Sequence, residues 1–440
     1  MKKIEKAPDW KKDNLLSKGL KFLADGEIKP LLDTINDKYV YWDKVKHIAS
    51  EKGIEPEILW SAVKLGRSLN AKKIKFGKYV FSYNMTDYIQ KGLHDFDLNI
   101  GGQSENRNLI PEDKKKRYLI SSIMEEAIAS SQIEGAVTTR KKAKEMLRKS
   151  IKPNTKSDRM ILNNYITIKY IVDIQNEPIT KEKLFEIQKL ITDRTLDDPE
   201  YEGGYRESDD INVIDMSDGE IVYHPPAFTE IPDLMNGLIK FFNSNNPDQF
   251  IHPVVKASMI HFMIGFIHPF ADGNGRTARA LFYWYLLKNG YWLTEYLSIS
   301  RLIIKSKIQY AQAYRYTETD DNDLSYFITY KIKTLNSAFE SLKEYIERKI
   351  SENRKTIGFH KIKGINERQA MILKRVYDEP DLFMTVKEME NSFSVANQTA
   401  RNDLSALVKA GYLELIEING KTKAFCKSDK FEALINLRVK

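Results

Sequence analysis

Twelve consecutive residues, His268 through Arg279 (HPFADGNGRTAR), concentrate groups that can handle a polyphosphate. His268 carries a side chain whose ordinary pKa lies near neutrality, which suits it to take a proton from an attacking hydroxyl. Asp272 is a hard oxygen ligand of the kind that holds a magnesium ion bridging phosphate oxygens. Gly273 and Gly275 permit a backbone approach that a Cβ would block, and with Asn274 between them their N–H groups would stand at the start of a helix, an anion site. Arg276 and Arg279, three apart on the first turn, share a face where two guanidinium forks can hold neighbouring phosphates. Singly, each has a plainer explanation: a histidine after an apolar helix is usually a cap or core residue, and an arginine pair usually lies on the surface. Their conjunction is what predicts a site.

Such a loop needs rigid supports, and the flanking sequence supplies them. The apolar run VVKASMIHFMIGFI (254–267) and the run that follows the loop to residue 288 read as two helices, the second ended by Gly290. Helical periodicity also covers 113–147 with a break near Gly135, then 157–175, 181–193 and 231–243, and continues to about residue 353. Inside this helical frame, INVIDMSDGEIVYHPP (211–226) sets β-branched residues around Asp218-Gly219, a hairpin signal stopped by Pro225-Pro226.

Residues 1–105, with amphipathic stretches at 44–52 and 56–67 and Gly101-Gly102 near their end, predict a helical N-terminal domain. A core then spans 106–353, a basic aperiodic linker 354–364, and a last domain 365–440. In that domain 366–377, 386–392 and 397–410 read as three helices, the third ended by Gly411. YLELIEINGKTKAFCKS reads as two strands around Asn419-Gly420, completing a winged helix-turn-helix. Asn397, Gln398, Thr399, Arg401 and Asn402 fall at the reading end of its third helix, and Lys421 and Lys423 on its wing.

At every fixed position the run from His268 to Arg279 matches HxFx(D/E)GNGRxxR, and by that motif the chain resembles the Fic family of nucleotidyltransferases. The resemblance covers about residues 70–350, since FSYNMTDYIQKGLHDFD also looks like the segment that precedes such cores. It implies a mainly α fold: a Fic helical core with a β-hairpin flap, to which the N-terminal helices and the winged helix are added. It further implies that AMP passes from ATP to a Ser, Thr or Tyr hydroxyl of a target protein. His268 would be the base, Asp272 the magnesium ligand, Gly273, Asn274 and Gly275 the phosphate cradle, and Arg276 and Arg279 the holders of the departing pyrophosphate. The phosphotransferase branch of the family has Lys where this chain has Gly275, which argues against kinase-like transfer. The hairpin at 211–223 takes the place of the flap that aligns a target segment by strand addition.

A second run, Ser130 to Gly135 (SSQIEG), matches the family's inhibitory pattern (S/T)xxxE(G/N). Ser130 and Glu134, four apart, share a helical face, and Gly135 ends the turn. In similar proteins this glutamate pairs with the second arginine of the motif, here Arg279, and blocks the productive nucleotide pose. Two other functions stay open: a DNA-binding regulator whose Fic core senses a nucleotide, and removal of AMP from a modified protein. Related enzymes are often dimers, and the chain itself is a further candidate target.

Composition bounds the rest. The net charge of +8 is spread along the chain, and the basic runs 114–117 and 140–149 are interrupted by carboxylates or apolar residues, the pattern of solvated helix faces. Residues 365–440 are nearly charge-balanced, poor footing for phosphate-driven affinity, so DNA binding and protein docking stand level for that domain. Cys426 is the single cysteine, and His224, His252, His261 and His268 lack zinc-ligand spacing. With no apolar run of about 18 residues and none behind the basic N-terminus, neither a membrane span nor a signal peptide is expected, and the compartment expected is the cytoplasm.

Overall fold

The computed structural model describes residues 4–101, 112–214, 219, 221–244, 249–360, 362–379, 382–419 and 422–438. They divide into two compact units, 1–342 and 343–440. The larger begins with α1 (Asp13–Ala24), α2 (Lys29–Asp37), α3 (Trp42–Glu51) and α4 (Pro56–Asn70), which bury Trp42, Trp60, Leu59 and Val63 among themselves. Next comes an antiparallel pair, β1 (Lys72–Phe76) and β2 (Tyr79–Tyr83), turned at Gly77 with φ +54°. Helix α5 (Asp87–Phe96) follows, its first turn capped by the Thr86 hydroxyl, which accepts from the Ile89 N–H.

The core continues with α6 (Glu112–Ile133), α7 (Arg140–Arg148), α8 (Lys156–Asp173) and α9 (Lys181–Thr192). Thr139, Thr155 and Thr180 start the last three, each accepting a backbone N–H three residues on. The short antiparallel pair β3 (Val213–Ile214) and β4 (Ile221–Tyr223) stands where the sequence predicts a hairpin; the predicted turn residue Asp218 lies outside the described residues. Then come α10 (Ile231–Asn243), α11 (Pro253–Ile267), α12 (Asn274–Lys288), α13 (Ile299–Lys305), α14 (Lys307–Thr319) and α15 (Ser325–His360).

Helices α11 and α12 form the centre. From Val254 to Ile267 only Gly265 escapes full burial, and from Asn274 to Leu287 only Gly275 does. A helix apolar all round belongs inside, and each fully buried large apolar side chain contributes roughly 1.5–3 kcal/mol, so the loop between these helices rests on supports that are costly to move.

The boundary expected near residue 105 does not separate compact units, and buried polar contacts explain why. Lys64 pairs with Asp320 at 2.8 Å, Arg67 donates to the Tyr326 hydroxyl at 2.7 Å, and the Tyr39 hydroxyl donates to Asp323 at 2.5 Å. Charges buried in this way hold only when paired, which ties the first four helices to the loop before α15 and to α15 itself.

The smaller unit contains α16 (Glu367–Asp378), α17 (Val386–Phe393), α18 (Asn397–Lys409), the antiparallel pair β5 (Leu413–Asn419) and β6 (Thr422–Lys427), and α19 (Phe431–Arg438). Full capping boxes, Asn366 with Gln369 and Thr385 with Glu388, start α16 and α17. Met384 and Phe425 exchange backbone hydrogen bonds at 2.8 and 2.9 Å, which adds a bridge beside the wing. Cys426 is buried in β6. Gly420 and Lys421 lie outside the described residues.

One expectation is corrected here. The stretch 354–364, read as a linker, contains the last turns of α15, and Phe359 and Ile362 are buried in the core of the smaller unit. A helix already nucleated upstream extends through a polar segment at little cost, so missing periodicity did not mark a break.

Candidate active site

His268 closes α11 as a left-handed residue (φ +50°, ψ +56°), with its N–H on the Ile264 carbonyl. That conformation is uncommon for a residue with a side chain and turns the chain sharply into the loop. The half-buried imidazole faces the Gly265 carbonyl through Nδ1 at 3.4 Å, which places the proton on Nδ1 and the lone pair on Nε2. Burial depresses its pKa below the ordinary histidine value, against the opposing influence of the Gly265 carbonyl and Glu134. The imidazole is therefore neutral near pH 7.

Asn274 serves the loop differently from the expected cradle. Its side chain accepts from the Phe270 N–H at 3.0 Å and donates to the Phe270 carbonyl at 2.8 Å, stapling the turn and leaving only its backbone N–H for a ligand. Gly273, at φ +84°, caps α12, where a Cβ would meet Ile191 and Thr192 at 3.1 Å.

The two arginines do not share one open face. Arg276, fully buried, donates to the Ile191 carbonyl at 2.9 Å and to Asp272 Oδ2 at 3.2 Å. Arg279, also buried, turns toward α6: its Nε donates to the Ser130 hydroxyl at 2.7 Å, and its Nη2 to the Ser130 carbonyl at 3.0 Å and Glu134 Oε1 at 2.8 Å. Burial opposes ionisation of Glu134, but Arg279 and then Arg276 outweigh it and hold the carboxyl below its usual range. Gly135, at φ +91°, lets the chain leave α6 directly after Glu134. Residues 130–135 and 268–279, far apart in sequence, thus meet in one cluster.

Two features leave this cluster open to an anion. Arg279 Nη1 and Arg276 Nε are buried without a hydrogen-bond partner among the described residues, and a buried donor left unpaired costs about 1–3 kcal/mol. Gly275 offers bare backbone beneath Glu134 and beside Arg279 Nη1, at the dipole-positive end of α12. Asp272 is exposed and accepts from the Gly273 N–H as well as from Arg276. Among the described residues no group of three or more His, Cys, Asp or Glu could hold a metal, so a cation at Asp272 would complete its shell from phosphate oxygens and water. The other histidines considered for zinc are engaged elsewhere, His224 with Asn212, His252 with Asp97 and His261 with Tyr310.

Two supporting residues escaped the sequence reading. Arg206, buried, donates to the carbonyls of His268 at 2.9 Å and Ser208 at 2.6 Å, to Asp209 at 3.0 Å and to the Pro226 carbonyl, joining the histidine to both ends of the hairpin. Gln188, fully buried on α9, donates to the Asp272 carbonyl at 3.3 Å. Neither lies in a recognisable motif; only a contact map exposes them. The hairpin's β4 is tied to α11 by the Tyr223 hydroxyl, which donates to the Phe266 carbonyl at 3.1 Å, while Ile214 and Ile221 are exposed.

A six-residue turn anchored on two buried helices carries a histidine on one side and two buried arginines on the other. Residues 178–286 match the Fic/DOC family and 368–416 a DeoR-like helix-turn-helix domain, so the chain carries a Fic domain followed by a helix-turn-helix domain. Protein adenylyltransferase Fic of Nematostella vectensis is 32% identical over 117 residues, and that of Aedes aegypti 35% identical over 117 residues. These stretches are 27% of this chain and only 25% and 21% of the relatives, so the match spans about a quarter of their length. The fold of a Fic family protein from Desulfovibrio desulfuricans superimposes with a TM-score of 0.53 at 18% identity, covering 79% of this chain and 98% of that one. No helix among the described residues is long and apolar enough to cross a membrane.

Proposed function

We propose that this chain is a protein adenylyltransferase that moves AMP from ATP to a Ser, Thr or Tyr hydroxyl of a target protein or of itself, and that Glu134 holds it inactive. The observation that carries this reading is the Glu134 carboxylate seated on Gly275 and Arg279, in a cradle where Arg279 Nη1 and Arg276 Nε have no partner among the described residues. A carboxylate there mimics the charge of a phosphate and excludes one.

With Glu134 displaced, Arg279 and the backbone N–H groups of Asn274 and Gly275 hold the outer phosphates of ATP, while the Gly273 N–H and buried Arg276 keep Asp272 in place. A magnesium ion at Asp272 would neutralise charge developing on the phosphates. The target segment pairs with the exposed edge of the β3–β4 hairpin, which presents its hydroxyl to His268. His268 Nε2 takes the hydroxyl proton as the oxygen bonds to the α-phosphorus; the bond from that phosphorus to the bridging oxygen breaks, and its electron pair leaves with pyrophosphate. Such transfers depend mostly on positioning and charge neutralisation. Magnesium-dependent release of pyrophosphate from ATP by Glu134→Gly, lost in Glu134→Gly/His268→Ala, tests the reading. Equal release by both variants would overturn it.

The helix-turn-helix domain supports a second activity, DNA binding. On α18, Asn397, Gln398, Arg401 and Asn402 are exposed, but Gln398 donates to Asn402 at 2.9 Å and Asn397 to Glu390 at 3.0 Å. Base contacts would have to compete with these bonds, so the face is read as a weak or conditional DNA reader, consistent with its near-neutral charge. Duplex binding that falls with Arg401→Ala supports this; binding indifferent to it points to protein docking.

A further inference from the structure

The two serines at the end of α6 serve different neighbours. Ser130 takes the Arg279 guanidinium, whereas Ser131, fully buried, donates its hydroxyl to the Met160 carbonyl of α8 at 3.2 Å. One turn earlier on α6, the Ala127 carbonyl accepts from the buried Asn164 side chain of α8, also at 3.2 Å. Residues 127 and 131 lie one turn apart on one helix and 160 and 164 one turn apart on the other, so the two helices exchange a pair of polar bonds along a single seam. Around that seam Met124, Ile128, Met160 and Ile161 pack in one apolar cluster. Apolar packing has no direction of its own, and the two bonds supply it: rotating or sliding α6 would leave buried donors unpaired.

Ser131 also organises the turn beyond it. Its carbonyl accepts from the Glu134 N–H at 3.1 Å and the Ala136 N–H at 3.0 Å, and at the exit the Val137 N–H donates to the Ser157 hydroxyl of α8 at 3.0 Å. The turn that carries Glu134 is thus tied to α8 at both ends. Beside Asn164, the equally buried Asn163 has other work: its side chain donates to the Asp193 carbonyl at 2.8 Å and the Ile191 carbonyl at 3.4 Å, the second of which also receives Arg276. Two adjacent asparagines therefore serve different halves of the site, one the inhibitory helix and the other the end of α9.

We propose that Ser131 and Asn164 are positioning residues of the Glu134 lock: their seam with α8 aims the end of α6 at Arg279, and the carboxylate leaves the cradle when its turn lifts from α8. This rests on the reading in which Glu134 holds the enzyme inactive. Both residues act through α6, and neither takes part in the transfer itself. Losing one bond of the seam favours the lifted state by the factor that one buried hydrogen bond contributes, and a lock that is mostly closed passes that factor on to activity.

The test measures magnesium-dependent release of pyrophosphate from ATP by the full chain as parent, Ser131→Ala, Asn164→Leu and Asn163→Leu, and by each of these combined with Glu134→Gly. Ser131→Ala and Asn164→Leu are each expected to raise release by the parent about two- to tenfold and to give no further rise once Glu134 is gone. A change that only loosened the core would raise neither. Asn163→Leu, on the same helix and equally buried, controls for a general loosening of α8 and is expected not to raise release by the parent. Should Asn164→Leu fold poorly, Ser131→Ala decides alone, since alanine suits a helix interior. Release by Ser131→Ala no higher than the parent's, an equal rise with Asn163→Leu, or the same factor gained in the Glu134→Gly background would each overturn the proposal. If Glu134→Gly itself releases no more than the parent, the lock reading fails and the proposal falls with it.

Discussion

The Glu134 carboxylate rests on Gly275 so closely that a Cβ built on the glycine would lie 2.3 Å from Oε1 and 3.0 Å from Cδ. Real atoms do not approach so near, so a residue larger than glycine at 275 must move the glutamate. The Glu134 contact therefore depends on a missing side chain at residue 275 as much as on the charge of Arg279.

Gly275→Ala accordingly destabilises the parent and does so less in a Glu134→Gly background. A double-mutant cycle read by thermal or urea unfolding is expected to give a coupling of about 0.5–3 kcal/mol. Additive effects would place Glu134 off Gly275 in solution. Because the added Cβ also crowds Arg279 Nη1 at 3.2 Å, Gly275→Ala is not expected to release transfer as Glu134→Gly does.

The pH dependence follows from His268. Burial lowers its pKa below the ordinary histidine value, and the base is the neutral form, so kcat/KM rises with pH through that depressed pKa and is flat around neutrality. Removing Glu134 takes away one influence that raises the pKa, so Glu134→Gly carries its acid limb below the usual histidine range. A pH–rate profile of pyrophosphate release checks this; an acid limb at or above the ordinary histidine value would argue against a buried neutral base.

Arg206 links the His268 carbonyl to the base of the hairpin at Pro226. Arg206→Met keeps much of the volume but leaves several carbonyls unpaired, at a cost of about 1–3 kcal/mol for each group that water cannot reach. The expected result is a loss of several kcal/mol in unfolding free energy together with loss of transfer. A variant of unchanged stability would show that hairpin and histidine hold their places without it.

What the sequence made legible divides along a physical line. Helices α6, α8, α9, α10, α11, α12 and α18 were readable because periodic burial or all-round apolarity is written locally, and the His268–Arg279 loop because its residue types are improbable together. The pair β1–β2 went unread although KKIKF-GK-YVFSY sets β-formers on both sides of Gly77, a two-residue turn signal as plain as the one at Asp218-Gly219. Spacing placed Arg276 and Arg279 on one face, whereas they bond to different elements, Arg276 to the Ile191 carbonyl and Arg279 to Ser130. Long side chains follow their tertiary partners, and those partners come from elements 85 and 149 residues away. Arg206 and Gln188 were silent for the same reason.

The central claim is that this chain transfers AMP and that Glu134 prevents it. Purified parent, Glu134→Gly and Glu134→Gly/His268→Ala proteins, each incubated with α-labelled ATP and magnesium and then weighed intact, test it most directly. The account predicts an adduct of one or more AMP masses on Glu134→Gly, little or none on the parent, and none on the double variant. Equal labelling of parent and Glu134→Gly, labelling that survives loss of His268, or no adduct on any form or on proteins of an added lysate would contradict it.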